Sequence, residues 1–107
     1  MAKNNSAPPG QDLHQNLDRA QHVSEMLKAL AHPIRLRIIA LLCQGRQHVT
    51  GLSEQLDVPQ AIISQQLRIL RMKGLVLVER AGGFAYYRLG EPELMNLVHC
   101  MEGCAVR

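Results

Sequence analysis

The sequence predicts a mainly α fold of the α+β class, with about five helices and a two-stranded β-hairpin. Three observations support this prediction. Apolar residues recur every three or four positions over most of the chain, Pro and Gly divide this pattern into short helices, and one late segment rich in Leu, Val and aromatic residues surrounds a Gly pair. At 107 residues the chain suits one compact domain and is too short for two independent cores.

The first predicted helix starts at Asp12, which is a suitable N-cap. Its apolar positions are Leu13, Leu17, Ala20, Val23, Leu27, Leu30 and Ala31. The break at His32-Pro33 predicts a second helix that begins with Pro and ends at Gly45. Because residues 1–11 are polar and contain Pro and Gly, we expect a flexible tail there and a domain over residues 12–107.

Two more helices are predicted on either side of a tight turn. Thr50 can cap a short third helix, and Asp57-Val58-Pro59 forms the turn. The fourth helix runs from about Gln60 to Met72, and Gly74 stops it. Its predicted inner face consists of Ile63, Leu67 and Leu70.

A β-hairpin and a last helix complete the predicted domain. Leu75–Arg80 and Phe84–Leu89 read as strands, with Ala81-Gly82-Gly83 as the turn between them. Pro92 can open the last helix. This helix carries an apolar edge of Leu94, Leu97, Val98 and Met101. One domain of this size cannot readily cover that edge, so we expect a second copy of the chain to pack there.

Helix, short turn, helix and Gly-tipped hairpin, in this order, are typical of a winged helix-turn-helix, in which the second helix enters the major groove of DNA. The outward positions of the fourth helix are Gln60, Ser64, Gln65 and Arg68. Gln can pair with adenine, and Arg can pair with guanine or phosphate. An isolated helix with such a face would simply be solvated, but the surrounding pattern favours DNA contact.

The sequence resembles the ArsR/SmtB family of bacterial repressors over about residues 13–104. The similar segments are Leu27–Ile39, Val58–Leu67, Leu70–Val76 and Tyr87–Leu89. The resemblance implies a cytoplasmic homodimer joined through the first and last helices, an inverted-repeat operator in double-stranded DNA, and release of that DNA by an inducer. It also implies DNA contacts at Gln60, Ser64, Gln65 and Arg68, with Arg80 of the wing reaching the backbone or minor groove. Pro59 stands where many members have Ser.

Three cysteines are candidate inducer ligands. Cys100 and Cys104 are four residues apart on the predicted last helix and therefore share one face, while Cys43 could supply a third sulfur. Three thiolates suit As(III), Pb(II) or Hg(II) and provide most of a Cd(II) site. The alternative for Cys43 is a small core residue. His99 is a further possible ligand, although it turns away from the cysteine face.

Comparison of this sequence with the inducer sites of the family leaves two classes of inducer as alternatives. The Cys-Val-Cys site of one arsenic-sensor type is replaced by His48-Val49-Thr50. The positions of the zinc-type site correspond to Glu91, Glu93, Cys104 and Arg107, and a cationic fourth residue does not suit zinc. Cys43 paired with Cys100 or Cys104 resembles the layout of persulfide and redox sensors. A thiol redox or persulfide sensor is thus the alternative to a thiophilic metal or metalloid sensor.

Composition and motifs argue against several other classes of protein. The longest apolar run, Ile38–Cys43, is far shorter than the roughly 18 residues of a membrane span, and no signal-peptide core precedes it. A net charge of +3 permits an acidic partner but does not itself indicate DNA. The chain lacks the phosphate loop, paired carboxylates and nucleophile elbow of enzymes, so we expect no catalysis. A winged-helix module that binds protein remains an alternative, which a strongly apolar outer face on the fourth helix would favour.

Overall fold

The computed structural model describes residues 12–103 and contains five helices and one hairpin. Their order is α1 (Leu17–Leu30), α2 (Pro33–Leu42), α3 (Val49–Leu56), α4 (Gln60–Met72), β1 (Val76–Ala81), β2 (Phe84–Leu89) and α5 (Glu93–Glu102). The predicted α+β class and winged helix-turn-helix order are therefore confirmed. The expected tail at 1–11 and Cys104 lie outside the described residues.

Two helix starts differ from the sequence prediction. Helix α1 begins four residues after Leu13, because Asn16 rather than Asp12 is its N-cap and its side chain accepts a hydrogen bond from the Arg19 amide at 2.9 Å. Helix α3 is capped by His48, whose Nδ1 accepts from the Gly51 amide at 3.0 Å, so Thr50 lies inside the helix. In both cases the side chain that reaches a free amide of the first turn decides where the helix begins.

The core forms where α2, α3 and α4 pack together and where α5 and the hairpin contact α2. Ile38 and Ile39 of α2 are fully buried, as are Ile63 and Leu70 of α4. Leu94 of α5 is buried as well. The prediction of Ile63, Leu67 and Leu70 as the inner face of α4 is confirmed, since each of them is at most 1% exposed. This inner face fixes the rotation of α4 and therefore which side chains it presents outward.

The hairpin is antiparallel, with Val76 opposite Leu89 and Ala81 opposite Phe84. The strand β1 lies one residue later than predicted. Gly82 and Gly83 form the two-residue loop, and both have positive φ angles of 57° and 82°, as the type I′ turns favoured in hairpins require. The loop therefore places the wing tip directly at this Gly pair.

Candidate nucleic-acid interface

The turn between α3 and α4 is held by local hydrogen bonds. Asp57 adopts a left-handed conformation with φ 56°, which Asp tolerates better than most residues. The Ser53 hydroxyl donates to the carbonyl of Val58 at 2.6 Å, and the Ser53 carbonyl accepts from the Val58 amide at 3.2 Å. This arrangement ends α3 and lets α4 begin immediately at Gln60. The turn thereby sets the angle at which α4 leaves the body of the domain.

Helix α4 presents a mixed polar and apolar surface to solvent. All four side chains predicted to face outward are exposed: Gln60, Ser64, Gln65 and Arg68. The first turn contains no acidic residue, and Pro59 at the N-cap makes no side-chain hydrogen bond to the helix. A surface that approaches phosphate groups should lack carboxylates, because like charges repel. The start of α4 meets this requirement.

Two apolar side chains at the start of α4 were missed by the sequence reasoning. Ala61 is exposed, and Ile62 is 36% exposed. The helical period predicts that Ala61 is exposed, since it lies four residues before Gln65 and the two side chains share the outward face. Ala61 and Ile62 are both apolar, whereas the predicted base-contacting side chains are all polar.

The wing is joined to the body of the domain by a backbone pairing. Gln47 and Tyr87 form an antiparallel bridge, in which the Gln47 amide donates to the Tyr87 carbonyl at 2.9 Å and the Tyr87 amide donates in return at 2.6 Å. His48 follows directly and lies 5.9 Å from the Tyr86 ring. The segment before α3 thus forms one isolated β-bridge with β2.

Charged side chains reinforce the same junction. Glu79 accepts from Arg46 at 3.2 Å and from Arg88 at 3.1 Å, and the Arg46 guanidinium lies 4.3 Å from the centre of the Tyr86 ring. Hydrogen bonds from Arg46 and then Arg88 lower the pKa of Glu79. Because the Glu79 side chain is 41% exposed and both arginines are about half exposed, solvent screens these pairs, and they orient the wing more than they stabilise the fold. No local pattern in the sequence predicts that Arg46 and Glu79, 33 residues apart, are in contact.

Arg80 lies on β1 opposite Ala85, near the wing tip, and is exposed. Its neighbour Glu79 points to the other face of the hairpin, because successive side chains of a strand alternate. Arg80 forms none of the ion pairs found among residues 12–103. Its guanidinium is therefore available to an external anion.

Comparison with known proteins defines the class of this interface. The family model described as "Bacterial regulatory protein, arsR family" matches residues 32–77, which span α2, α3, α4 and the start of β1. A biofilm growth-associated repressor from Xylella fastidiosa is 37% identical over 83 residues, covering 78% of this chain and 73% of that protein. The chain belongs to the ArsR family. As a member, it is a DNA-binding transcriptional regulator rather than an enzyme.

Another relative and two solved structures are also similar to this chain. A transcriptional repressor SmtB homolog from Synechocystis is 40% identical over 82 residues, and the chain spans 62% of its length. The crystal structure of the transcriptional repressor BigR from Xylella fastidiosa superposes with a TM-score of 0.77 at 34% identity, over 92% of this chain and all of that one. A homodimeric winged helix-turn-helix DNA-binding domain from Mycobacterium bovis gives 0.71 at 28% identity, over 89% and 87% of the two chains.

The thiols of this ArsR-family chain occupy different surroundings. Cys43 follows the last residue of α2 and is half-buried, whereas Cys100 on α5 is exposed. Burial, and then the negative charge of Glu102, raise the pKa of the Cys43 thiol. Within residues 12–103, no three His, Cys, Asp or Glu side chains gather into a group that could hold a metal ion. Cys104, the other predicted ligand, lies outside this range.

The part of the chain that the structure describes contains no helix long and apolar enough to cross a membrane.

Proposed function

We propose that the chain represses transcription as a homodimer that binds an inverted-repeat operator in double-stranded DNA. The observation that carries this proposal is the exposed set Gln60, Ser64, Gln65 and Arg68 on α4, in a chain that belongs to the ArsR family. These side chains would contact base edges and phosphates in the major groove, while Arg80 would contact the backbone or minor groove beside it.

A second copy of the chain is supported by apolar surface that one copy leaves uncovered. Leu17 is 71% exposed and Leu27 is 45% exposed on α1, and Met95 and Met101 are exposed on α5. Apolar side chains grouped on helices outside the core typically mark an interface. The homodimeric relative from Mycobacterium bovis has the same fold.

A mobility shift with DNA from upstream of the protein's own gene tests DNA binding. The expected result is a complex that survives excess unrelated duplex and disappears with excess of the same duplex. Binding that unrelated duplex removes equally well would contradict a sequence-specific repressor. A protein that bound no DNA but captured a protein partner through α4 would support the interaction-module alternative.

We further propose that an inducer acts at Cys43, Cys100 and Cys104, and that a thiophilic ion such as As(III), Cd(II), Pb(II) or Hg(II) is the first candidate. Thiol sulfur is the donor these ions prefer, and exposed Cys100 is accessible to them. A complete site would need Cys104 or thiols from the second copy, because residues 12–103 contain no three-ligand group.

A persulfide or oxidant is the second candidate, because it needs fewer thiols than a metal site does. Sulfur and redox chemistry needs only a pair of thiols, one to react and one to resolve the intermediate. Cys43 directly follows α2, and Cys100 lies on α5. These two helices pack against each other. Either inducer would change the placement of α5, and thus of the second copy, relative to the DNA-binding body.

The double variant Cys100→Ser/Cys104→Ser tests thiol sensing. It should fold and bind the operator but fail to release it, whereas the parent should lose about 5- to 150-fold in affinity on induction. Native and denaturing mass spectrometry after treatment with As(III), Cd(II), Hg(II) or persulfide separates the two candidates by mass. A bound ion adds its own mass, whereas persulfide chemistry adds sulfur or removes two hydrogens as a disulfide forms. Release from the double variant equal to that from the parent would rule out thiol sensing without affecting the repressor assignment.

A further inference from the structure

The exposed start of α4 combines apolar side chains with one amide. Gln65 lies one helical turn beyond Ala61 and Ile62, four and three residues away, so the three side chains are neighbours on the helix surface. Ala61 and Gln65 are exposed, and Ile62 is 36% exposed. The side chains that α4 buries are Ile63, Gln66, Leu67 and Leu70. Ala61 and Gln65 lie opposite this buried face, and Ile62 lies at its border, four residues before Gln66. The three neighbours are therefore available to a partner of α4.

The composition of this surface indicates which bases it suits. In the major groove only thymine presents a methyl group, and small apolar side chains are the groups that pack against it. A Gln side chain can bond adenine through both its donor and its acceptor. An amide beside two apolar groups therefore complements adjacent adenine and thymine bases better than guanine or cytosine.

The first turn of α4 carries no charge that would oppose contact with DNA. Pro59, also exposed, precedes Gln60 without forming a side-chain cap, and the turn contains no acidic residue. An acidic group here would stabilise the helix through its dipole but would repel phosphates and could accept hydrogen bonds from cytosine. The turn instead offers uncharged groups of small and medium size, which can approach a base edge closely.

We propose that Ala61 and Ile62 are specificity-determining residues that recognise thymine methyl groups in each half-site, next to an adenine bonded by Gln65. This inference rests on the proposed operator-binding function and extends it to the bases that α4 reads. Burying one methyl group contributes about 0.8 kcal/mol, which corresponds to about a fourfold change in affinity.

The test begins with selection of binding sites from a pool of random-sequence duplexes by the full-length protein. We expect the selected half-sites to contain thymine where α4 binds. Replacing these thymines by deoxyuridine removes only the methyl group and should weaken binding about fourfold per methyl contact. Deoxyuridine placed where only the wing binds in the minor groove should have no effect, because the methyl group lies in the major groove.

Variants connect the effect to the two residues. Ala61→Ser and Ile62→Ala should each reduce the preference for thymine over deoxyuridine, with thermal unfolding measured alongside to show that both proteins fold. Met72→Ala is the matched control: Met72 is an apolar residue of the same helix, 78% exposed, and lies about 16 Å from Ala61 along the axis. This variant should keep the full preference.

The outcomes distinguish this inference from the function on which it rests. If no duplex is enriched, the proposed operator binding is wrong and the inference is wrong with it. If duplexes are enriched but lack thymine under α4, or bind equally well with deoxyuridine, the inference alone is overturned. It is also overturned if Ala61→Ser and Ile62→Ala both keep the parent's preference for thymine.

Discussion

Two helices of this chain begin at histidine side chains. The Nδ1 atom of His32 accepts a hydrogen bond from the Ile34 amide at 3.2 Å, and Nδ1 of His48 accepts from the Gly51 amide at 3.0 Å. In both caps the acceptor is the Nδ1 atom of the imidazole ring. The two side chains satisfy amides that the helices themselves leave free.

We predict that His48→Ala lowers the free energy of unfolding by about 1 kcal/mol, because an amide at the start of α3 loses its acceptor. His48→Asn should restore most of this stability, since Asn is a good N-cap but lacks the ring that contacts Tyr86. Urea denaturation measures the differences. Thr50→Ala is the control and should change stability by less than about 0.5 kcal/mol. A loss of stability in Thr50→Ala with none in His48→Ala would show that the cap is at Thr50.

The two described thiols should differ in reactivity. Thiolate is the reactive form, and burial and Glu102 raise the pKa of Cys43, so its thiolate fraction at pH 8 is reduced. We predict that iodoacetamide modifies exposed Cys100 before Cys43, as followed by peptide mass spectrometry. Glu102→Gln should speed the reaction of Cys43, whereas denaturation should remove the difference between the sites. Modification of native Cys43 at the rate found in urea would contradict this prediction.

At the level of elements, α4 and the wing should contribute differently to DNA binding. Ser64→Ala and Gln65→Ala should each reduce affinity for the operator by about 1–3 kcal/mol and relax its sequence preference, because base edges lose a partner. Arg80→Ala should weaken binding to every sequence and reduce the salt dependence, with the slope of log K against log salt falling by about 0.9 per lost phosphate contact.

Titrations of operator and unrelated duplex at several salt concentrations separate these effects. Thermal unfolding of each variant provides the control, since all three side chains are exposed and their loss should leave the fold intact. Unchanged affinity and preference in both Ser64→Ala and Gln65→Ala would mean that α4 does not read the operator.

At the level of the whole molecule, the exposed apolar residues of α1 and α5 predict a dimer. Leu27→Glu should place a charge in the interface and shift the protein to a folded monomer, as measured by sedimentation velocity and circular dichroism.

The parent dimer should bind an operator whose two half-sites lie about one helical turn apart, since two α4 helices then meet successive major grooves. Full-affinity binding of one chain to a single half-site would contradict this prediction.

Local sequence patterns were sufficient to determine the order of the elements and which side chains α4 presents outward. The apolar period of α4 identified Ile63, Leu67 and Leu70 as its inner face and thus the outward set that begins at Gln60. The Gly82-Gly83 pair located the hairpin turn, because two successive positive φ angles favour glycine. These features depend on residues within a few positions of each other, which is the range over which helical and strand periods operate.

Only the tertiary structure decided where distant segments meet. The bridge between Gln47 and Tyr87 keeps the chain extended up to His48, so α3 begins there and not after Thr50. Gly90 passes so close to Gly74 that an added Cβ would lie 2.5 Å from the Gly74 carbonyl oxygen. Glu79 likewise meets Arg46 across 33 residues. Such contacts follow from how the elements pack, and no local period of the sequence encodes which distant backbone or side chain will be adjacent.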